Sequence, residues 1–315
     1  MGVIIDGICG LAIGDAMGVP VEFINRDILQ KNPVNKMMGF GSHSVPKGTW
    51  SDDTSLTIAS IDSINNVGNI DYNDIMKKFL EWRERAKYTA TNEFFDIGIT
   101  TSIAINNYVR GVNPINCGSD DIRSNGNGSL MRIIPFTYYS FFNNYDRSGE
   151  VDLINNASSI THGHEISKLG CLIYNDYVKS IMKGLSKDEA LDNLKNNDYA
   201  NYYSDASINY YSNILSGKIK SKKISDIKSS GFVVDSLEAS IWCVLKTNSY
   251  REAVLQAVNL GNDTDTIGAI TGSIAGIIYG YESIPEEWIQ DTKRIDYLIE
   301  VSKMFEHNLT KKKIN

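Results

Sequence analysis

The chain has few of the features that mark several protein classes. Its four cysteines, Cys9, Cys117, Cys171 and Cys243, are far apart and form no C-x-x-C pair. That excludes a disulfide framework and a cysteine zinc site, and it makes a reducing cytoplasm the expected compartment. Basic residues are outnumbered, 31 against 38 acidic, for a net charge of −7. A nucleic-acid partner is not expected, because affinity for the phosphate backbone rests on clustered Lys and Arg. No run of 18 uncharged apolar residues exists, and the longest candidate, Thr266 to Tyr281, is short and glycine-rich. No membrane association is expected from it. The apolar N-terminus carries Asp6 and Asp15 and has no basic leader, so it does not read as a signal peptide. Strand signals are sparse, with short β-branched runs and no strand–helix alternation. No Pro- or Ser-rich linker divides the 315 residues. With 42% hydrophobic content, these absences leave one all-α domain as the expected fold class.

What the chain does have is glycine at helical spacing. Residues 3–18 read as a helix, with Gly10, Gly14 and Gly18 four apart on one face. Gly268, Gly272 and Gly276 repeat the pattern behind a turn at Gly261. An interior glycine costs about 1 kcal/mol against alanine, so three in one helix point to very close helix contact. The two striped helices are expected to pack on each other. Helices are also expected over Thr54 to Ile64, Asp74 to Arg85, 96–110 after a start at Gly98, and His164 to Met182. Ser186 with Glu189 and Ser249 with Glu252 have the spacing of capping boxes. Arg26 to Trp50 reads as irregular, 111–135 as a long loop and therefore a functional one. The 196–213 stretch is rich in Asn, Tyr and Ser and is compatible with a helix. The Lys218–Lys228 stretch reads as a solvated loop. The basic tail 307–315, with Lys311 to Lys313, is expected to fray beyond a domain of residues 1–306.

Two turns carry the chemistry. Gly261-Asn262-Asp263-Thr264-Asp265-Thr266 gathers two carboxylates and two hydroxyls in four residues, and Ser51-Asp52-Asp53-Thr54 is a second acid–hydroxyl cluster. Each precedes a helix, and each alone is equally the capped start of a surface helix. Adjacent carboxylates repel one another unless a cation compensates. Taken together, Ser51, Asp52, Asp53, Asp263, Asp265 and Thr266 offer enough oxygen ligands for two hard cations.

These residues lie within a longer series: Gly10-x-x-x-Gly14-Asp15-Ala16-x-Gly18-x-x-x-Glu22, Trp50-Ser51-Asp52-Asp53-Thr54, Asp96-Ile97-Gly98-x-Thr100-Thr101, Gly126-Asn127-Gly128-Ser129-Leu130-Met131-Arg132, Thr161-His162, Val234-Asp235-Ser236-Leu237-Glu238-Ala239, and Gly261 to Gly280. In this order and spacing they resemble the ADP-ribosylglycohydrolases, over nearly the whole chain. The resemblance implies a single-domain orthogonal helical bundle and a binuclear centre of two Mg²⁺ or Mn²⁺ ions. It implies that Ser51, Asp52 and Asp53 hold one ion, that Asp263 and Thr266 hold the other, and that Asp265 bridges. Glu22 is implied at or near the centre. Gly126, Asn127, Gly128, Ser129 and Met131 are implied around the diphosphate of ADP-ribose, with His162 also on that moiety and His164 as a weaker candidate. Asp96 matches an acid tied to ribose ring opening. Where the family turn has a second glycine, this chain has Asn262, a residue that tolerates the left-handed backbone.

The implied reaction is hydrolysis of the glycosidic bond between C1″ of ADP-ribose and an amino-acid side chain, most often arginine. Asp53 or Glu22 is the expected proton acceptor. The implied partners are an ADP-ribosylated protein as substrate, ADP-ribose as product, and the transferase or toxin that makes the modification. Three other activities fit the same residues: a two-carboxylate glycosidase without metal, a two-metal phosphohydrolase acting on the pyrophosphate, and an ADP-ribose binder or immunity protein acting by contact.

Overall fold

The centre of the molecule is the pair of glycine-striped helices, Val3–Gly18 and Thr264–Tyr279, running antiparallel. The close approach explains the glycines. In this computed structural model, which describes residues 2–311, a Cβ on Gly10 would fall within 3.0 Å of the Gly272 carbonyl oxygen, and one on Gly14 within 3.0 Å of that of Gly268. Gly268 and Gly272 meet the carbonyls of Gly14 and Gly10 in return, and Gly276 meets that of Asp6. Three hydrogen bonds fasten the pair from outside the stripe: Tyr250 Oη to Gly10 O at 2.7 Å, Thr264 Oγ1 to Gly18 O at 2.8 Å, and Tyr281 N to Asp6 Oδ1 at 2.9 Å. The stretch Val3–Val21, rather than Thr266 to Tyr281, is long and apolar enough to cross a membrane by length and composition, and it is 89% buried in the molecule.

Sixteen α-helices and short 3-10 turns make up the described residues, with isolated bridges but no strand. Helices Asp52–Val67, Val233–Lys246 and Tyr250–Val258 pack around the central pair, and Ile295–Lys311 lies along the first helix. Their starts follow local chemistry. Ser51 Oγ accepts from Asp53 N at 3.3 Å, and Asp71 caps Tyr72–Arg85. His164 Nδ1 accepts from Ile166 N at the start of Glu165–Met182. The Ser186–Glu189 box is complete. The Ser249–Glu252 box is not: Ser249 Oγ accepts from Glu252 N, but the Glu252 carboxylate reaches Asn248 N.

Several expectations change. The segment after Arg26 opens with a short helix, Arg26–Lys31. The 111–135 loop contains a 3-10 turn at Pro114–Asn116. The 196–213 stretch divides into two short helices, Asp205–Tyr210 and Ser212–Leu215. Lys218–Ser221 is a 3-10 turn in which Lys220 pairs with Asp188 and Asp192. The C-terminal helix continues through Lys311 with Leu309 buried, so 307–311 extend the bundle instead of fraying. Lys312, Lys313 and the last two residues lie outside the described residues.

Candidate active site

The two acidic turns meet. Ser51 ends the loop before helix Asp52–Val67, and Asp263 precedes helix Thr264–Tyr279. Thr266 Oγ1 donates to Asp53 Oδ2 at 3.4 Å across 213 residues of chain. Ser51 Oγ donates to the same oxygen at 3.0 Å. The other oxygen, Asp53 Oδ1, is buried without a hydrogen-bond partner. Asp263 occupies a cap position without capping. Its Oδ2 accepts instead from Asn127 Nδ2 at 2.6 Å. Thr264 does not cap its own helix but holds the last carbonyl of the first one.

Asp52, Asp263, Asp265 and Thr266 line a cavity of about 390 Å³; Ser51 and Asp53 are not among its lining residues. Glu22, Asp52, Asp96, Asp263 and Asp265 line it, with no lysine or arginine among the described lining residues. One carboxylate oxygen each from Glu22, Asp263 and Asp265 lie within 4.8 Å of one another. Burial is the first cause raising every one of these acids, and repulsion from neighbouring carboxylates adds to it for Glu22, Asp52, Asp263 and Asp265. Asp52, Asp53 and Asp265 are pushed well above the ordinary carboxylate range, and Glu22 to about 7. An unpartnered buried Asp53 oxygen, several crowded carboxylates and two hydroxyls form an all-oxygen donor set, which suits a hard divalent cation.

The opposite wall is the 126–131 segment. Asn125 and Asn127 are pinned by backbone bonds, Val233 N to Asn125 O at 3.0 Å and Asn127 N to Gly231 O at 3.0 Å. Gly126, Asn127, Gly128 and Met131 face the cavity. Gly128 has a steric reason, since a Cβ there would lie 2.8 Å from His162 Cε1. Ser129 turns away: its hydroxyl lies in the core against Ser158 and Cys171, leaving only its backbone toward the loop. His162 is buried and lines the cavity. Burial first, and then Arg132, lowers its pKa to about 3, so the ring is neutral. Thr161 Oγ1 accepts from Arg132 Nη2 at 2.6 Å and lies 2.9 Å from His162 Nδ1. The hydroxyl keeps both its proton and a second lone pair, so it can serve Nδ1 in either tautomer of the ring. His164 is not part of this wall; it caps its helix and meets Asn125 Nδ2 at 3.0 Å.

Asp96 lies at the mouth in a left-handed conformation, φ 56°. It does not cap the next helix, whose start is Gly98. Sequence reading missed its neighbour His43, whose Nε2 bonds Glu22 Oε2 and which groups with Glu22 and Asp96. It stands alone in an irregular segment, without a motif or period to mark it. Phe23, Thr101 and Gly231 also line the cavity; Thr101 was visible only as part of a motif.

The sequence pattern of the ADP-ribosylglycohydrolase family matches residues 4–313. The chain belongs to the ADP-ribosylglycohydrolase family. It is 32% identical to an ADP-ribosylarginine hydrolase of Serratia proteamaculans over 281 residues, covering 89% of this chain and 72% of that one. It is 27% identical to the ADP-ribosyl-dinitrogen reductase glycohydrolase of Rhodospirillum rubrum, covering 89% and 86%. A solved structure described as an ADP-ribosylglycohydrolase-related protein complex superposes with a TM-score of 0.82 at 24% identity, over 98% of both chains. The helical bundle is thus the family's fold, and the protein is a glycohydrolase. The departure from the family turn is accommodated: Asn262 takes φ 64°, and its side chain bonds Ser229 Oγ at 3.0 Å.

Proposed function

We propose that this protein is a divalent-cation-dependent hydrolase that releases ADP-ribose from arginine side chains of modified proteins in the cytoplasm. The observation that carries the reading is the convergence of the 51–53 and 263–266 turns on one acidic cavity, with Asp53 Oδ1 buried and unpartnered. Ser51, Asp52, Asp53, Asp263, Asp265 and Thr266 would hold the cations. Mg²⁺ or Mn²⁺, when bound, supplies positive charge beside the ribose hydroxyls and the attacking water. The 32% identical relative named for arginine supports the linkage. Four buried free cysteines agree with a reducing compartment.

The residues divide the work. Backbone N–H groups of the Gly126–Met131 segment and the neutral ring of His162 face the diphosphate. Asp96 sits at the mouth, beside the ribose. Water forms the new bond to C1″ as the C1″–nitrogen bond breaks. Its proton passes to Glu22 and then to the departing guanidine, which leaves as guanidinium. Glu22 suits this role because burial holds its pKa at about 7, where a base is poised to take and return a proton. Asp53 Oδ2 is committed to Ser51 and Thr266.

The test is release of ADP-ribose from arginine-modified and serine-modified protein side by side. EDTA, or Asp265→Ala, should lower the arginine rate by on the order of 10³-fold, since cation charge supplies several kcal/mol. Full activity in the chelated or mutant protein would sink the proposal.

A further inference from the structure

Phe23 is an unusual residue for its place. It is 70% exposed although apolar, and it lines the acidic cavity directly after Glu22. Its backbone is left-handed at φ 65°, a strained conformation for a bulky side chain that persists only where its surroundings enforce it. The enforcement is visible. Phe23 N donates to Asn262 O at 2.6 Å, and Asn262 N donates to Ile24 O at 2.8 Å. Asn262 is left-handed too, and Ser229 fixes its side chain. The turn that carries Asp263 thus holds the phenyl ring out at the lip.

The ring has defined company. The His43 ring lies 5.8 Å away, tilted by 52°, and Phe95 lies 5.4 Å beyond His43. His43 is bonded to Glu22, and oxygen atoms of Glu22 and Asp96 lie within 4.8 Å of its ring nitrogen. An open aromatic face therefore stands beside two carboxylates, with no lysine or arginine among the described residues that line the cavity. A planar cation satisfies both at once: its face meets the ring, and its edge N–H groups meet the carboxylates. His43 already answers Glu22, so Asp96 is the carboxylate that an uncharged group would leave unanswered.

From this geometry we infer that Phe23 is the platform for the arginine guanidinium of the substrate, and so a determinant of arginine over serine linkage. The inference rests on the hydrolytic reading above. In a serine-linked substrate the leaving group has no cation to place on the ring. The adenine of ADP-ribose could also stack on an aromatic face, but it carries no positive charge for Glu22 and Asp96.

The experiment compares wild type with Phe23→Ala, Phe23→Leu and Phe23→Trp, using arginine-linked and serine-linked ADP-ribosyl peptides and the binding of free ADP-ribose. Phe23→Ala and Phe23→Leu should raise KM for the arginine-linked peptide about tenfold, and Phe23→Trp should restore it, because Leu keeps apolar volume while Trp offers the best π face. The dissociation constant of ADP-ribose should stay at its wild-type value, which also reports an intact fold. A wild-type KM in Phe23→Leu overturns the inference, as does an equal loss of ADP-ribose affinity, which would place adenine on the ring. A wild-type enzyme inactive on the arginine-linked peptide overturns the hydrolytic reading and this inference with it. An active wild type with unchanged Phe23 variants overturns the inference alone.

Discussion

Asp15 lines no part of the cavity, yet the acids at the start of helix Asp52–Val67 depend on it. Fully buried, it accepts from Ser51 N at 2.9 Å, Thr54 N at 3.1 Å and Thr54 Oγ1 at 2.6 Å. Its carboxylate thus answers the orphan N–H groups at the very helix start that presents Asp52 and Asp53. Burial raises its pKa to about 7, with those hydrogen bonds opposing the rise. Asp15→Ala leaves those donors without an acceptor. The expected cost is about 1.5–3 kcal/mol, the range for hydrogen bonds to a charged group. Urea unfolding measures it, and a midpoint unchanged from wild type would contradict this role. Asp15 was visible in the sequence only as a member of a motif. An aspartate inside an apolar helix says that it is buried or functional, but not which N–H groups it serves, because those lie 36 and 39 residues away. His43 was less legible still. Its meaning comes from contact with Glu22, and nothing local encodes that contact.

At the scale of elements, the glycine stripes were the most legible part of the fold. A period of four on a helix maps onto one face, and only a close partner repays the glycines. The two striped helices do pack on each other, and the structure adds their antiparallel direction and which glycine meets which carbonyl. Gly14→Ala should therefore destabilise by overpacking, by roughly 1–3 kcal/mol, read from the denaturant midpoint at constant slope. A neutral Gly14→Ala would mean that the helices can separate without cost. The helices with clear caps were equally legible, because the capping residues are local. Ile134–Phe142 was not. Its sequence is apolar and aromatic almost all round, and a helix buried on nearly every side shows no stripe. Arg147–Ser159 was missed as well, although Asp146 caps it. The acidic turns were legible as chemistry but ambiguous as structure, since Asp263 holds a cap position while its carboxylate serves Asn127.

For the molecule as a whole, the crowded acids couple stability to pH and to cations. Burial raises Asp15, Glu22, Asp52, Asp53, Asp263 and Asp265 above their ordinary values. These acids therefore bind more protons in the folded state than in the unfolded chain, and their contribution to stability falls as pH rises. The loss begins near pH 4, where unfolded carboxylates titrate, and for Asp15 and Glu22 it extends to about pH 7. Without divalent cations, the melting temperature should drop between pH 5 and pH 8. Saturating Mg²⁺ or Mn²⁺ should raise it more at pH 8 than at pH 5; a hundredfold excess over Kd corresponds to about 2.7 kcal/mol of added stability. Thermal scans at the two pH values, with and without the cation, decide this, and an equal gain at both would remove the linkage.

The pairing of the first helix with one near the other end of the chain also sets a schedule. Gly18 and Thr264, joined by a hydrogen bond, stand 246 residues apart. During synthesis at roughly 5–20 residues per second, the striped helix waits on the order of 10–50 seconds for its partner. Ile4, Ile8, Leu11 and Ile13, all buried in the finished molecule, have no permanent cover in that interval. The cavity shares the delay, because Asp53 meets Thr266 only when the same helix arrives. Every partly made chain thus lacks half of its acidic wall until the late closure of the core.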